Sequence, residues 1–144
     1  MLDLLGGVVV RGNRGNRARY RLLRSPLGKG TAPLALGRAL IAEARAQSLY
    51  VADLDAIMQK GSHDGLLRQM AGALDAALWA DTGVHTPKGA QALFGLGASR
   101  VVIGTETLTS LAHLRQLLEE FPSELLPVSL DDNPVAFFCF FFCH

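Results

Sequence analysis

Cysteine is scarce in this sequence: Cys139 and Cys143 are the only two, and both stand at the very end. A disulfide-stapled secreted scaffold is therefore not expected, and the body of the chain suits a reducing cytoplasm. Charge of one sign is lacking too. The formal net charge is +1, whereas a dedicated nucleic-acid binder carries a strongly basic domain. Long apolar runs are missing: no uncharged stretch approaches the ~20 residues of a membrane span. The most apolar segment, Val135 to Cys143, is too short to span, and no basic segment precedes an apolar one at the N-terminus, so neither a membrane anchor nor a signal peptide is expected. Metal-ligand spacing is also absent. His63, His85, His113 and His144 stand apart and read as surface residues, while Cys139, Cys143 and His144 crowd three donors into an apolar terminus, a weak zinc pattern. What remains is 144 residues, 49% hydrophobic, enough for one domain with a sizeable core.

Short apolar runs punctuate the chain. Met1 to Leu5, Val8 to Val10, Leu49 to Ala52, Ala77 to Ala80, Val101 to Ile103 and Leu125 to Leu130 read as strands. They do not alternate polar with apolar residues, which is the pattern of strands buried on both faces of a parallel sheet. Helical patterns fill the gaps. Thr31 is placed to cap a helix with Pro33 in its first turn, running to about Gln47. After Asp64, residues Leu66, Leu67, Met70, Ala73, Leu74 and Ala77 form an apolar stripe at the helical period. Thr86-Pro87 opens a helix ended by Gly95 or Gly97. From Thr109 to Phe121, Leu111, Leu114, Leu118 and Phe121 share one face, and Pro122 stops the helix.

The order is β-α-β-α-β-α-β-α-β, with strand starts from Leu49 onward recurring about every 25–30 residues, the spacing of βαβ units. An α/β fold with right-handed crossovers follows, either an open doubly wound sheet or part of a barrel. The open sheet would show a glycine-rich fingerprint entering a helix after its first strand. Here Gly6-Gly7 leads into Val8-Val9-Val10, which favours the barrel.

Polar residues stand where barrel chemistry needs them, at the carboxyl ends of strands. Asp3 follows the first strand, Asp53 and Asp55 the second, Asp81-Thr82-Gly83 the third, Gly104-Thr105-Glu106 the fourth and Asp131-Asp132 the fifth. Any one of these could simply turn the chain or cap a helix. Recurrence at successive strand ends favours a shared functional rim.

These segments resemble a known family. Leu2-Asp3-Leu4-Leu5-Gly6-Gly7-Val8-Val9-Val10-Arg11-Gly12 is similar to the opening of the HisA/HisF histidine-biosynthesis barrels. Leu49 to Ala56 is similar to their second strand, Gly97 to Thr105 to their fourth and Pro127 to Asp131 to their fifth. Ala80-Asp81-Thr82-Gly83 stands where the family usually carries a triple glycine. The HisA branch, including HisA-like paralogues, is the nearer one. The resemblance covers about residues 1–132 and implies a partial (β/α)8 barrel of about four βα units plus a fifth strand. Residues 133–144 match nothing in the family and are expected to be an atypical Phe/Cys-rich tail left by a frameshift or premature stop.

The resemblance further implies an aldose-ketose isomerase performing an Amadori rearrangement with Asp3 as base and Asp131 as acid. Two carboxyls in unlike environments can share general acid and general base work, and no metal or redox cofactor is needed. Gly83, Gly104 and Thr105 match family positions for a phosphate, and Arg11 matches a basic position in the first loop. The implied ligand is a phosphorylated sugar or ribonucleotide-like small molecule, with no nucleic acid and no membrane as partner. Arg11, Arg14, Arg17, Arg19, Arg21 and Arg24 are read as a loop folding over an anionic ligand, although Arg with Tyr20 could also suit nucleic acid. The alternatives are a HisF-like cyclase fed by a glutaminase partner, a HisA-like paralogue in another cofactor pathway, and an inactive half-barrel fragment. The open sheet edges of a partial barrel make self-association of half-barrels an expectation.

Overall fold

The computed structural model describes residues 1–11, 21–22 and 30–129. Asp131, most of the arginine-rich stretch and the tail from 133 to 144 lie outside the described residues. The chain opens with β1 (Leu2–Leu5), β2 (Val8–Arg11) and β3 (Arg21–Leu22), then α1 (Pro33–Ala44), β4 (Ser48–Asp53) and a short α2 (Leu54–Ile57). It continues with α3 (Asp64–Ala73), β5 (Ala77–Asp81), α4 (Pro87–Gly95), β6 (Arg100–Val101), β7 (Ile103–Gly104), α5 (Leu111–Glu120) and β8 (Val128–Ser129).

β1, β4, β5 and β6 pair in parallel in chain order, and β7 pairs in parallel with β8. β6 and β7 together form the single fourth strand expected from the sequence. The strand changes partners along its length: the Val102 amide donates to the Ala80 carbonyl at 2.8 Å, and the Ile103 amide donates to the Pro127 carbonyl at 2.9 Å. Each parallel strand is therefore added on the same side as the last. A doubly wound sheet would reverse direction.

The helices give the second half of the argument. Leu36 of α1, Leu67 and Met70 of α3, Leu93 of α4 and Leu117 of α5 join one buried cluster with Leu2, Leu4, Leu49, Val51, Leu78, Ala80, Val101 and Ile103 of the strands. All four longer helices thus cover one sheet face. Side chains alternate along a strand, so Asp3, Tyr50, Ala52, Trp79 and Asp81 belong to the opposite face. One-way strand order with helices on one side is the construction of a (β/α)8 barrel, and this is a partial one.

The start of the chain adds a hairpin that parallel-sheet logic does not require. β2 runs antiparallel to β1, with Asp3 opposite Val10, and β3 continues antiparallel beyond it. Gly6 and Gly7 form the two-residue turn with φ of 58° and 79°, a left-handed pair that glycine adopts without steric cost.

Several expectations are corrected. Ala32, not Thr31, is the residue before α1, with no side-chain cap, and the helix ends at Ala44 because Arg45 turns left-handed (φ 49°). Ala73 is exposed, off the stripe of α3, while Ala71 packs against the core. Among the described residues the fifth strand is Val128–Ser129, and Ser123–Leu125 is a 3-10 turn. On α5, Leu111 and Leu118 are 74% and 45% exposed and Leu117 is fully buried. The sequence offers two adjacent leucine stripes that share Leu114 and Phe121. Tertiary contact selects the one through Leu117, where Phe121 meets Phe94 of α4 with ring centroids 5.3 Å apart. Among the described residues no helix is long and apolar enough to cross a membrane.

Leu117→Ala should therefore cost about 2–5 kcal/mol of stability, the usual loss for a buried leucine. Leu118→Ala should stay within about 0.5 kcal/mol. Urea unfolding of the two variants checks this, and equal losses would place the α5 face wrongly.

Candidate active site

The parallel register sets the site. Asp3 is opposite Ala52, and Ala52 is opposite Asp81. The three residues lie in one row across β1, β4 and β5, with only a methyl side chain between the two carboxylates. Asp3 is half-buried. Burial raises its pKa above the ordinary 3.8, the N-terminal ammonium opposes the shift, and the charge of Asp81 adds to it.

Asp81 is 6% exposed and held from two sides. The Tyr50 hydroxyl donates to its Oδ2 at 2.7 Å, and the Gly83 amide donates to its Oδ1 at 3.1 Å. Burial, then the neighbouring charge and hydrogen bond of Asp81, then the charges of Asp3 and Glu106, hold the Tyr50 phenol far above its ordinary range. Tyr50 is thus fixed as a protonated donor. Tyr50 lies in the fields of Asp81, Asp3 and Glu106, which places residues of β1, β4 and β5 and the turn after β7 around one rim.

Gly83 sits in this rim for steric reasons, whereas the space at Gly104 would admit a methyl group. Gly83 has φ 73°, and a Cβ on it would come within 3.2 Å of the Ile57 backbone and of the Thr107 methyl. A Cβ on buried Gly104 would lie 3.6 Å from Glu106 and 4.0 Å from Asp81 Oδ2. The Thr105 amide donates to the Ser129 carbonyl at 3.0 Å, which fixes the end of β7 to the end of β8. The Thr107 hydroxyl donates to the Gly104 carbonyl at 3.0 Å. Of the residues singled out from the sequence, Asp3, Gly83, Gly104 and Thr105 therefore meet at one end of the sheet. Arg11 stands apart on the exposed end of β2, directly opposite Arg21 of β3. Like charges so placed repel unless an anion or solvent separates them.

A second constellation lies beside the rim and joins His63, which was not foreseen, to Asp53 and Asp55 at the end of the second strand. Asp53 is fully buried. Its Oδ1 accepts from the Ala56 amide at 3.2 Å, capping α2, and its Oδ2 accepts from the His63 amide at 2.7 Å. His63 Nδ1 lies 2.9 Å from Asp53 Oδ1, and its Nε2 lies 3.6 Å from Asp55 Oδ2. A carboxylate only accepts, so Nδ1 carries the proton toward Asp53. Asp55 Oδ2 also accepts from the Gly6 amide at 2.6 Å. Donor atoms of Asp53, Asp55 and His63 lie within 4.8 Å of one another, but the bonds just described already use them to tie the β1–β2 turn to the segment before α3.

The reading of the histidines as surface residues is corrected for the three that are described. His63, His85 and His113 are each partly buried, and the His85 and His113 rings pack with centroids 5.5 Å apart. No spacing rule could have found the His63 contact, because a loop of irregular length brings it back to Asp53. Tyr50 was hidden as a strand aromatic.

The profile of a family described as histidine biosynthesis protein matches residues 1–138. A relative from Alkaliphilus metalliredigens is 28% identical over 131 residues, covering 90% of this chain and 52% of its own length. One from Prochlorococcus marinus is 30% identical over 138 residues, covering 94% of this chain and 51% of its own length. Both are named as isomerases of a doubly phosphoribosylated imidazole-4-carboxamide. An uncharacterized protein from Methanocaldococcus jannaschii is 25% identical over 150 residues, covering 94% of this chain and 65% of its own length. The chain spans about half the length of the isomerases it matches.

The raised pKa of Asp3 has a consequence for stability. The unfolded chain ionises this group near 3.8, and the fold resists ionisation to a higher pH. Folding is therefore opposed by Asp3 above both values, and the opposition vanishes below the unfolded value. Asp3→Asn should stabilise the protein at neutral pH, with the gain fading as the pH falls toward 3.8 and gone below it. Urea melts at neutral and acid pH check this. A loss at neutral pH, or an equal gain at both, would contradict it.

Proposed function

The chain belongs to the histidine biosynthesis protein family, and from that premise we propose that it carries the first part of an aldose-ketose isomerase site for a phosphorylated, ribonucleotide-like sugar. Its relatives support the isomerase class. The observation that carries the reading is the meeting of Asp3, with its raised pKa, and the glycine-bearing ends of β5 and β7 at one rim.

The reaction needs one carboxyl to protonate the ring oxygen, opening the furanose to a Schiff base. The other takes the proton from the adjoining carbon, leaving an enolamine that becomes the ketose. A pKa moved toward working pH improves a carboxylate as base, and Asp3 is in such an environment. We assign Asp3 as base and Asp131 as acid. The phosphate is assigned to the loops around Gly83, Gly104 and Thr105 on the family resemblance, with glycine letting a ligand come close to the backbone, although the Gly83 and Thr105 amides already have acceptors within the fold. Arg11 is assigned to the arm that meets the ligand's charge.

The reading includes assembly. Among the described residues β8 pairs only with β7, and an unpaired strand invites a further strand. A second half-barrel, from another copy or another polypeptide, would close the sheet and cover the face that carries Trp79, over which Arg100 stacks at 4.5 Å.

Complementation of a histidine-requiring strain that lacks the isomerase tests the proposal. The chain is supplied alone, and also joined to the second half of a relative. Growth is expected at least with the joined form. Asp3→Asn should abolish that growth and slow the purified isomerase by about 100-fold or more. Growth unaffected by Asp3→Asn would remove Asp3 from the chemistry, and no growth with either form would point to a different substrate.

A further inference from the structure

The rim holds a carboxylate where the assigned anion would bind. The family resemblance aligns Asp81 with a glycine, and Asp81 does not turn away from the site. It is buried, and its Oδ1 takes the hydrogen bond of the Gly83 amide at 3.1 Å. Its Oδ2 lies 4.0 Å from the Cβ position of Gly104, so the carboxylate stands beside the end of β7 and between the two glycines. Tyr50 fixes it there through the 2.7 Å bond to Oδ2.

The Gly83 amide has little freedom to serve a second acceptor. Its residue is held left-handed at φ 73° and packed 3.2 Å from the Ile57 backbone, measured at the Cβ position. The Thr105 amide is likewise engaged, by the Ser129 carbonyl. Two of the three groups assigned to the phosphate thus have their N–H donors spent within the fold, one of them on a carboxylate.

We propose that Asp81 is the specificity-determining residue of this rim, an internal competitor that occupies the Gly83 amide and weakens binding of a phosphate dianion. This rests on the rim being the ligand mouth, as assigned above, and narrows what enters it. A hydroxyl or amino group can add to the Asp81–Tyr50 pair as a donor. A dianion must displace Oδ1 and then remain beside it. Two like charges a few ångströms apart in a partly buried setting repel strongly enough to lower affinity by tenfold or more.

The test titrates inorganic phosphate into the full chain and its variants, followed by backbone amide chemical shifts. Asp81→Gly opens the space, and Asp81→Asn keeps the shape and removes the charge, so that one variant remains if the other fails to fold. Both should bind phosphate at least about tenfold more tightly than the unaltered chain, with shifts centred on Gly83, Gly104 and Thr105. Equal affinity in the unaltered chain and the variants would overturn the proposal. So would the absence of binding in all of them, or shifts confined to Arg11 and Arg21. The isomerase reading is judged separately, by the response of growth and rate to Asp3→Asn, so the two failures are distinguishable.

Discussion

The register of three adjacent parallel strands governs the rest of this molecule. Leu2 opposite Val51 and Val51 opposite Ala80 place apolar side chains in a row beneath the helices, where all three are buried. The next position along each strand must then face the other way. That position is Asp3 on β1, Ala52 on β4 and Asp81 on β5. A slip of one residue would turn the carboxylates into the apolar core and the leucines out of it. The hydrophobic effect, acting on one face, thus aligns the chemistry on the other.

Once the row exists, its environment follows from what lies around it. Among the described residues the helices shield only one face of the sheet, and on the other face Asp3 stays partly exposed while Asp81 is buried. Tyr50, one turn of the pleat below Ala52, shares their face and donates to Asp81. Asp53, one residue beyond Ala52, faces the opposite way, is fully buried and binds the His63 backbone and ring. The same strand end therefore supplies one face with a small spacer and the other with a buried clamp. Through Asp55 and Gly6 the clamp also fixes the turn from which β2 and Arg11 extend.

Much of this was legible in the sequence. Runs such as Leu49 to Ala52 and Ala77 to Ala80 carry no charge, because alternate residues pack beneath the helices and those between them are still at least partly buried. The carboxylates that follow them mark the rim. The glycines at 6 and 7 marked a turn into another strand. What was hidden depended on contacts between distant segments. Leu117 and Leu118 differ by one position on α5, and packing against distant parts of the core, including Phe94 of α4 on Phe121, decides which of them faces inward. The antiparallel β3 is two residues long, too short to carry a period. Asp81 was visible as a departure from the family's glycines, but its direction was not, since that depends on Tyr50 a full βα unit earlier. His63 reaches Asp53 through a loop whose path no periodicity encodes. Asp131, the expected second carboxyl, lies outside the described residues.

Asp3 and Asp81 stand in each other's electrostatic field across Ala52 at one partly buried rim. Carboxyl carbon chemical shifts of Asp3, followed by NMR against pH in the unaltered chain and in Asp81→Asn, test this arrangement most directly. The expected midpoint for Asp3 lies above 3.8 and moves down when the Asp81 charge is removed. A midpoint at the ordinary aspartate value, indifferent to residue 81, would contradict it.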